Sequence, residues 1–313
     1  VLFRSHWGWS YLHALVLAAR DRVDEAGPLL RSLGDEPDYA PFFTARALLA
    51  GAHAQDRERD LRRAIELDPT ERLLRIPLVQ QLQREGRWET ALEVSGGALD
   101  AFPEDFDLAL LHARSLNEVG GYAESLQIME QIRVLPSEHS SEAHGLFSHA
   151  HLMAGLAALD RGESDAAGTH FEAAMTWPER LGQGRPYDPE ERLARFLLGL
   201  AKADAGDGDA AIEAWMEVVE ATPPSGFRGG DVTRLDLLGA LALERLGRRS
   251  ALRDFGNGQE GAMARLVQIV RSGARTDTSV AYALEAASAG MHDVFSDVEG
   301  VLLRHAFAAS ARR

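Results

Sequence analysis

Residues 86–106 read GRWETALEVSGGALDAFPEDF, and five letters of that stretch recur along the chain: Gly86, Trp88, Ala91, Ala98 and Pro103. Thirty-four residues further on stand Gly120, Tyr122, Ser125 and Ile132, with Pro136 one position early. A step of 42 then gives Gly162, Ser164, Ala167, Ala174 and Pro178, and a step of 44 gives Gly206, Gly208, Ala211, Val218 and Pro223. Backwards, Ala64 and Pro69 lie 34 residues before Ala98 and Pro103, and a fainter copy keeps Val23, Ala26, Leu33 and Pro37. Periods of this size mark stacked supersecondary units, each too small to bury its own apolar face.

Each repeated letter has a task in a helix hairpin. The glycine ends a first helix in the left-handed conformation, which costs little without a Cβ. The aromatic two residues later covers the turn. Small residues seven apart share one face of the second helix, where a neighbour must come close. The proline stops that helix. Ala, Leu, Glu and Arg dominate throughout and no period-2 stretch is present, so the pattern predicts helices nearly everywhere. The expected pairs are 7–19/22–33, 39–53/56–67, 71–85/88–101, 105–119/122–134, 141–160/163–176 and 189–205/208–221. The second turn is the irregular one, because Asp56 stands where glycine is wanted. Beyond 231 the pattern predicts a helix to about 246, a Gly-rich link near 256–258, a helix at 260–272 and a terminal hairpin at 277–310. Gly247 and Gly290 are candidate turn glycines there.

A helix-turn-helix of 34 residues with these marks resembles the tetratricopeptide repeat, and AIELDP at Ala64–Pro69 looks like its usual ending. The family's small residue seven positions before the turn glycine corresponds to Val79, Ala113, Gly155 and Gly199. The likeness is closest over 56–221, looser over 7–55 and faint from 231 to 310. It implies an all-α fold, a right-handed superhelical solenoid whose first helices line a concave face, and a protein- or peptide-binding scaffold. The expected division is a repeat array over 1–230 and capping helices over 231–313, since an array needs ends that do not stack. The order of AIELDP, RWETALEV…FPEDF, VLPSEHSSEAHGLFSHAHLM and WPERLGQGRPYDPEERL across 40–205 also resembles the C-terminal repeat region of large bacterial proteins with an N-terminal all-β domain. That likeness implies an alternative, the non-catalytic region of a larger carbohydrate-related enzyme. The Val at position 1 agrees with a chain that is part of something longer.

Composition narrows the field. At 313 residues and 45% hydrophobic, the chain has ample material for a core and is not a disordered one. A net charge of -15 disfavours nucleic acid as partner. With no Cys there are no disulfides, thiolate metal sites or cysteine nucleophile, and cytoplasm and periplasm are both permitted. The reading favours the cytoplasm. Lys202, the only lysine, follows Ala201, so no Gly-Lys phosphate loop exists. No run approaches the roughly 18 apolar residues of a membrane span, and Trp7–Ala19 lacks the marks of a signal peptide.

Motifs of chemistry are few. Gly256–Gly261 matches G-x-G-x-x-G, but RRSALRDF before it reads as the end of a helix rather than a buried strand, so a flexible link explains it better. His139, His144, His149 and His151, with Glu138 and Glu142, form one histidine-dense stretch. Of these, His144 and His151 share a helical face, too little for a metal site. Asp204, Asp207 and Asp209 fail the calcium-loop pattern at Ala211 and suit a helix start instead. Glu190 and Glu191 follow Pro189 and read as first-turn residues, not a glycosidase pair. With five Trp and five Tyr, sugar-stacking platforms are scarce. The chain is therefore expected to be no enzyme, with no cofactor and no metal.

What remains is surface. Trp177–Pro189 breaks the repeat rhythm with Trp177, Arg180, Arg185 and Tyr187 among freeing glycines, a composition suited to contact. Residues 135–141 and 222–230 are the other inserts. Positions that the family turns toward its groove carry Ile76, Gln80 and Gln83, then Leu110, Arg114 and Asn117, then Leu152, Leu156 and Leu159, then Phe196, Leu200 and Ala203. The Lys and Asn clamp with which family members grip a terminal carboxylate is missing. The later positions are apolar and call for an apolar occupant: a partner helix, the chain's own C-terminal helices, or an adjoining domain.

Overall fold

The computed structural model describes residues 6–49, 53–136, 141–222, 234–255 and 262–272. Among these residues every regular element is helical. The first eight helices are α1 (His6–Ala18), α2 (Val23–Ser32), α3 (Ala40–Leu49), α4 (Ala54–Leu67), α5 (Arg75–Arg84), α6 (Trp88–Ala101), α7 (Phe106–Glu118) and α8 (Tyr122–Gln131). There follow α9 (Ser141–Asp160), α10 (Ser164–Ala174), α11 (Arg192–Asp204), α12 (Gly208–Glu220), α13 (Arg234–Arg245), α14 (Arg249–Asp254) and α15 (Ala262–Ser272). They belong to two compact units, one ending at Ile132 and one beginning at Arg133. In each unit consecutive helices pair as hairpins and each hairpin packs on the next, the arrangement of a tetratricopeptide-like solenoid. The expected loop after Thr222, the Gly256–Gly261 stretch, His139 with Glu138, and the 277–310 hairpin lie outside the described residues.

One cap is used six times. Gly86 and Gly206 hold φ of +67° and +85°, and Gly120, Gly162 and Gly247 do likewise. In each case the next residue donates its N–H to the carbonyl five positions back, as Arg87 does to Leu82 (3.0 Å) and Asp207 to Lys202 (2.9 Å). This is the Schellman closure, which satisfies carbonyls that the helix end leaves without partners. The first hairpin closes the same way, Arg22 to Leu17 at 3.0 Å, with Asp21 at φ +60° in the glycine's place. Aspartate is among the few other residues that tolerate this conformation.

The hairpins interlock by exchanging size. Seven residues before the turn residue stand Val79, Ala113, Gly155 and Gly199, and nine after it stand Ser95, Met129, Phe171 and Trp215; all eight are buried. As the first member shrinks, the second grows. A Cβ at Gly155 would come within 2.5 Å of the Phe171 ring, and one at Gly199 within 2.3 Å of the Trp215 indole. Trp215 is further tied by its Nε1–H, which donates to the Phe196 carbonyl at 3.3 Å. Phe171 and Trp215 therefore sit where a helix has no side chain, at native packing density.

In the first unit a charge is buried where α3 meets α4. Arg46, 5% exposed, donates to both carboxylate oxygens of Asp60 (2.7 and 2.6 Å), which is 2% exposed. It also reaches Asp35 at 2.7 Å and the Gly34 carbonyl, and lies over the rings of Phe42 and Phe43 at 5.2 and 5.1 Å. Such an ion is tolerated inside only because each donor direction finds an acceptor.

Three helix ends depart from the periodicity. Helix α11 begins at Arg192 rather than 189, so Glu190 and Glu191 lie ahead of its first turn and Glu191 takes the N-cap position. Helix α8 stops at Gln131 rather than 134, because Ile132 turns extended (φ -75°, ψ 155°) and sends 132–136 along the 177–182 loop. A short 3-10 turn, Arg72–Leu74, precedes α5 where one continuous helix from 71 was expected, with the Glu71 side chain accepting from the Leu73 N–H.

Candidate functional site

The insert between α10 and α11 is built in two halves. The first is fastened down. Trp177 lies flat on His144 of α9, ring centroids 3.4 Å apart and planes 5° from parallel. His144 Nε2 is 3.0 Å from the Thr176 carbonyl and, facing an oxygen that can only accept, carries the hydrogen. Arg180 sits over the Phe147 ring at 5.9 Å, and Leu181 is fully buried. The Val134 N–H donates to the Arg180 carbonyl at 2.8 Å, so the 132–136 strap lies against this turn. Gly182, at φ +75°, leaves no room for a Cβ, which would stand 2.9 Å from the Val134 carbonyl oxygen.

The second half turns outward. Arg185 reaches back to Glu191 at 3.1 Å, and Glu191 also accepts from Arg195 at 2.7 Å. Arg195 continues to Glu217 of α12, while Arg192 pairs with Glu190. These residues surround an open cleft of about 370 Å³, lined also by Asp188, Pro189, Glu220 and Ala221. Five carboxylates face three guanidinium groups, so the lining is acidic on balance. Between Arg185 and Asp188 in the chain, Tyr187 is fully exposed, at 105% of its reference surface. Tyr187 is thus left wholly in water on a segment anchored at both ends.

The other sequence-expected positions separate by burial. Gln80 is exposed on α5, Arg114 is half-buried on α7, and Asn117 is 2% exposed. Gln83 is buried, its amide donating to the Leu111 carbonyl at 2.7 Å and to Ser115 Oγ at 3.0 Å. In the second unit Leu156, Phe196 and Leu200 are 4%, 0% and 4% exposed, in one core with Trp215, Leu237, Leu241 and Val267; Leu152 packs on its margin. Helices α13 to α15 contribute to that core, and α13 packs on α11, which carries Phe196 and Leu200. Asp207 caps α12, accepting from the Ala210 N–H at 3.1 Å, and Lys202 pairs with Glu172 at 2.9 Å.

Histidine placement follows the sequence spacing. His144, Phe147 and His151 form one stripe of α9, with Phe147 edge-on to His151 at 4.5 Å. His151 meets His170 of α10, Nδ1 to Nδ1, at 3.0 Å. Burial lowers His149 to about 4. His151 is also lowered to about 4, by burial first and then by His170 and Arg180. His144 and His170 are lowered by burial as well. Among the described residues no three metal-ligating side chains converge, and no helix is long and apolar enough to cross a membrane.

No family model and no curated protein matches the chain. Solved structures with a similar course include YrrB, described as a TPR protein with an unusual peptide-binding site. It is 17% identical over 62% of this chain and 91% of that one, with a TM-score of 0.42. A tetratricopeptide repeat protein from Parabacteroides merdae is 12% identical over 95% and 98%, with a TM-score of 0.46. MamA is 14% identical over 57% and 88%, with a TM-score of 0.41. The repeated cap and the size exchange described above carry the fold assignment in this chain.

Proposed function

We propose that this chain is a non-catalytic helical-repeat scaffold that docks a basic protein segment on the 183–195 face of its second unit. The observation that carries the reading is Tyr187, fully exposed and next in the chain to Asp188, which lines a cleft whose carboxylates outnumber its arginines. A segment bearing Lys or Arg would set its charge against Asp188 and Glu220 and lay an apolar residue on the Tyr187 ring. Arg180 and Trp177 act from behind, holding the loop in place. Gln80, exposed on α5, and Arg114, half-buried on α7, are the first unit's candidate contact residues. Charge of this sort chiefly sets partner choice and approach rate, while the aromatic anchor sets dwell time.

The test is selection of peptides from a displayed library on the intact chain, then titration of the recovered sequences. Enrichment of Lys and Arg is expected, with weaker binding at higher salt. Tyr187→Ala should weaken binding about tenfold or more, and Glu220→Lys should also weaken it, with circular dichroism unchanged. Recovery of acidic or purely apolar peptides, or binding indifferent to both variants, would overturn the reading. The sequence likeness across 40–205 supports a second reading, in which the same face meets an adjoining all-β domain of a longer carbohydrate-related protein.

A further inference from the structure

The first half of the insert rests on a stripe of α9 that carries titratable rings. Trp177 rests on His144, Arg180 rests on Phe147, and His151, edge-on to the same ring, is bonded to His170. Two imidazole nitrogens 3.0 Å apart need one N–H and one bare lone pair. Charging both rings would set two Nδ1–H groups against each other at that distance and remove the bond.

We infer that this stripe is an acid-released latch: neutral His151 and His170 keep residues 176–182 on α9, and charging the pair lets the turn carrying Trp177 and Arg180 lift away. The groups around the pair all push in that direction. His151 feels His170 from α10 and Arg180 from the loop, and His170 feels Arg161 from the α9–α10 turn. No carboxylate acts on either ring among the described residues. His144 is lowered as well, chiefly by burial, with the Thr176 carbonyl and Glu191 opposing that shift. Charging His144 leaves its bond to the Thr176 carbonyl in place, whereas charging His151 and His170 removes theirs, so release is assigned to the pair. Because the closed state holds His151 at about 4 and a freed imidazole titrates near 6.5, opening is expected between those values. The consequence for binding rests on the docking face proposed above, to which this turn leads; the latch itself is read without any ligand.

The experiment is a titration of the whole chain from pH 7.5 to 4, following tryptophan emission beside far-ultraviolet circular dichroism. The same titration of Trp177→Phe isolates the Trp177 contribution from Trp7, Trp9, Trp88 and Trp215. The latch predicts a change in the Trp177 signal with a midpoint below 6.5 while helicity holds. His170→Gln keeps a donor and acceptor but cannot charge, and should abolish that step; His151→Gln provides the same test should the first variant lose helicity at pH 7.5. A Trp177 signal flat to pH 4, one that moves only with loss of helix, or a step that survives in the Gln variants would overturn the latch. Peptide binding at pH 7.5 is measured separately, so failure of the docking reading leaves this result standing.

Discussion

Replacing Gly155 by Ala places a methyl group 2.5–2.9 Å from three carbons of the Phe171 ring, which is fully buried and has nowhere to retreat. Overpacking of this kind costs about 1–3 kcal/mol, and the better helix propensity of Ala returns up to about 1. A net loss of about 1–2 kcal/mol is expected. Phe171→Met alone leaves a thinner side chain opposite glycine and should cost about 1–1.5 kcal/mol. Independent effects would bring the double variant to a loss of about 2–3.5 kcal/mol. The second pair of the series is already Ala113 with Met129, however, so Gly155→Ala with Phe171→Met rebuilds a combination this chain uses elsewhere. The double variant should therefore lose about 1 kcal/mol or less, a coupling of about 1–2 kcal/mol between touching residues. Urea unfolding followed by circular dichroism measures all three. A neutral Gly155→Ala, or a double variant as unstable as the two singles combined, would refute the size exchange.

Arg46→Ala should cost about 3–5 kcal/mol, because Asp60 is left charged and buried, whereas Arg46→Met with Asp60→Leu should recover most of that in the same urea assay. Gly97→Ala, at a mid-helix position of α6 with open space around it, should raise the unfolding free energy by up to about 1 kcal/mol. His149 is neutral in the fold and lowered to about 4 by burial, so the unfolded chain takes up its proton first as pH falls. Stability is complete above about 6.5 and declines toward 4, by on the order of 3 kcal/mol from this group; His149→Gln should flatten that slope in pH-dependent unfolding.

What the sequence reveals depends on whether a requirement falls on one residue or on a pair. The turn glycines and the small residues at Gly155 and Gly199 answer to single backbone demands, so a periodic search finds them. Asp21 escapes that search because its side chain is permitted, though disfavoured, in the glycine conformation. Phe171 and Trp215 were findable as the residues nine after the turn, once compared with Ser95 and Met129. Arg46 with Asp60, and Trp177 on His144, join residues 14 and 33 positions apart with no periodic mark. Helical spacing also puts groove and core on adjoining faces of a first helix, so Leu156, Phe196 and Leu200 read equally well as either. Only their burial in the second unit's core tells the two apart.

Amide hydrogen exchange of the intact chain, with and without a peptide recovered in the selection, tests the docking claim most directly. The account predicts new protection over 183–195 and at the 217–221 end of α12, diminished in Tyr187→Ala. Protection confined to α5 and α7, around Gln80 and Arg114, with 183–195 unchanged, would contradict it and move the binding face to the first unit.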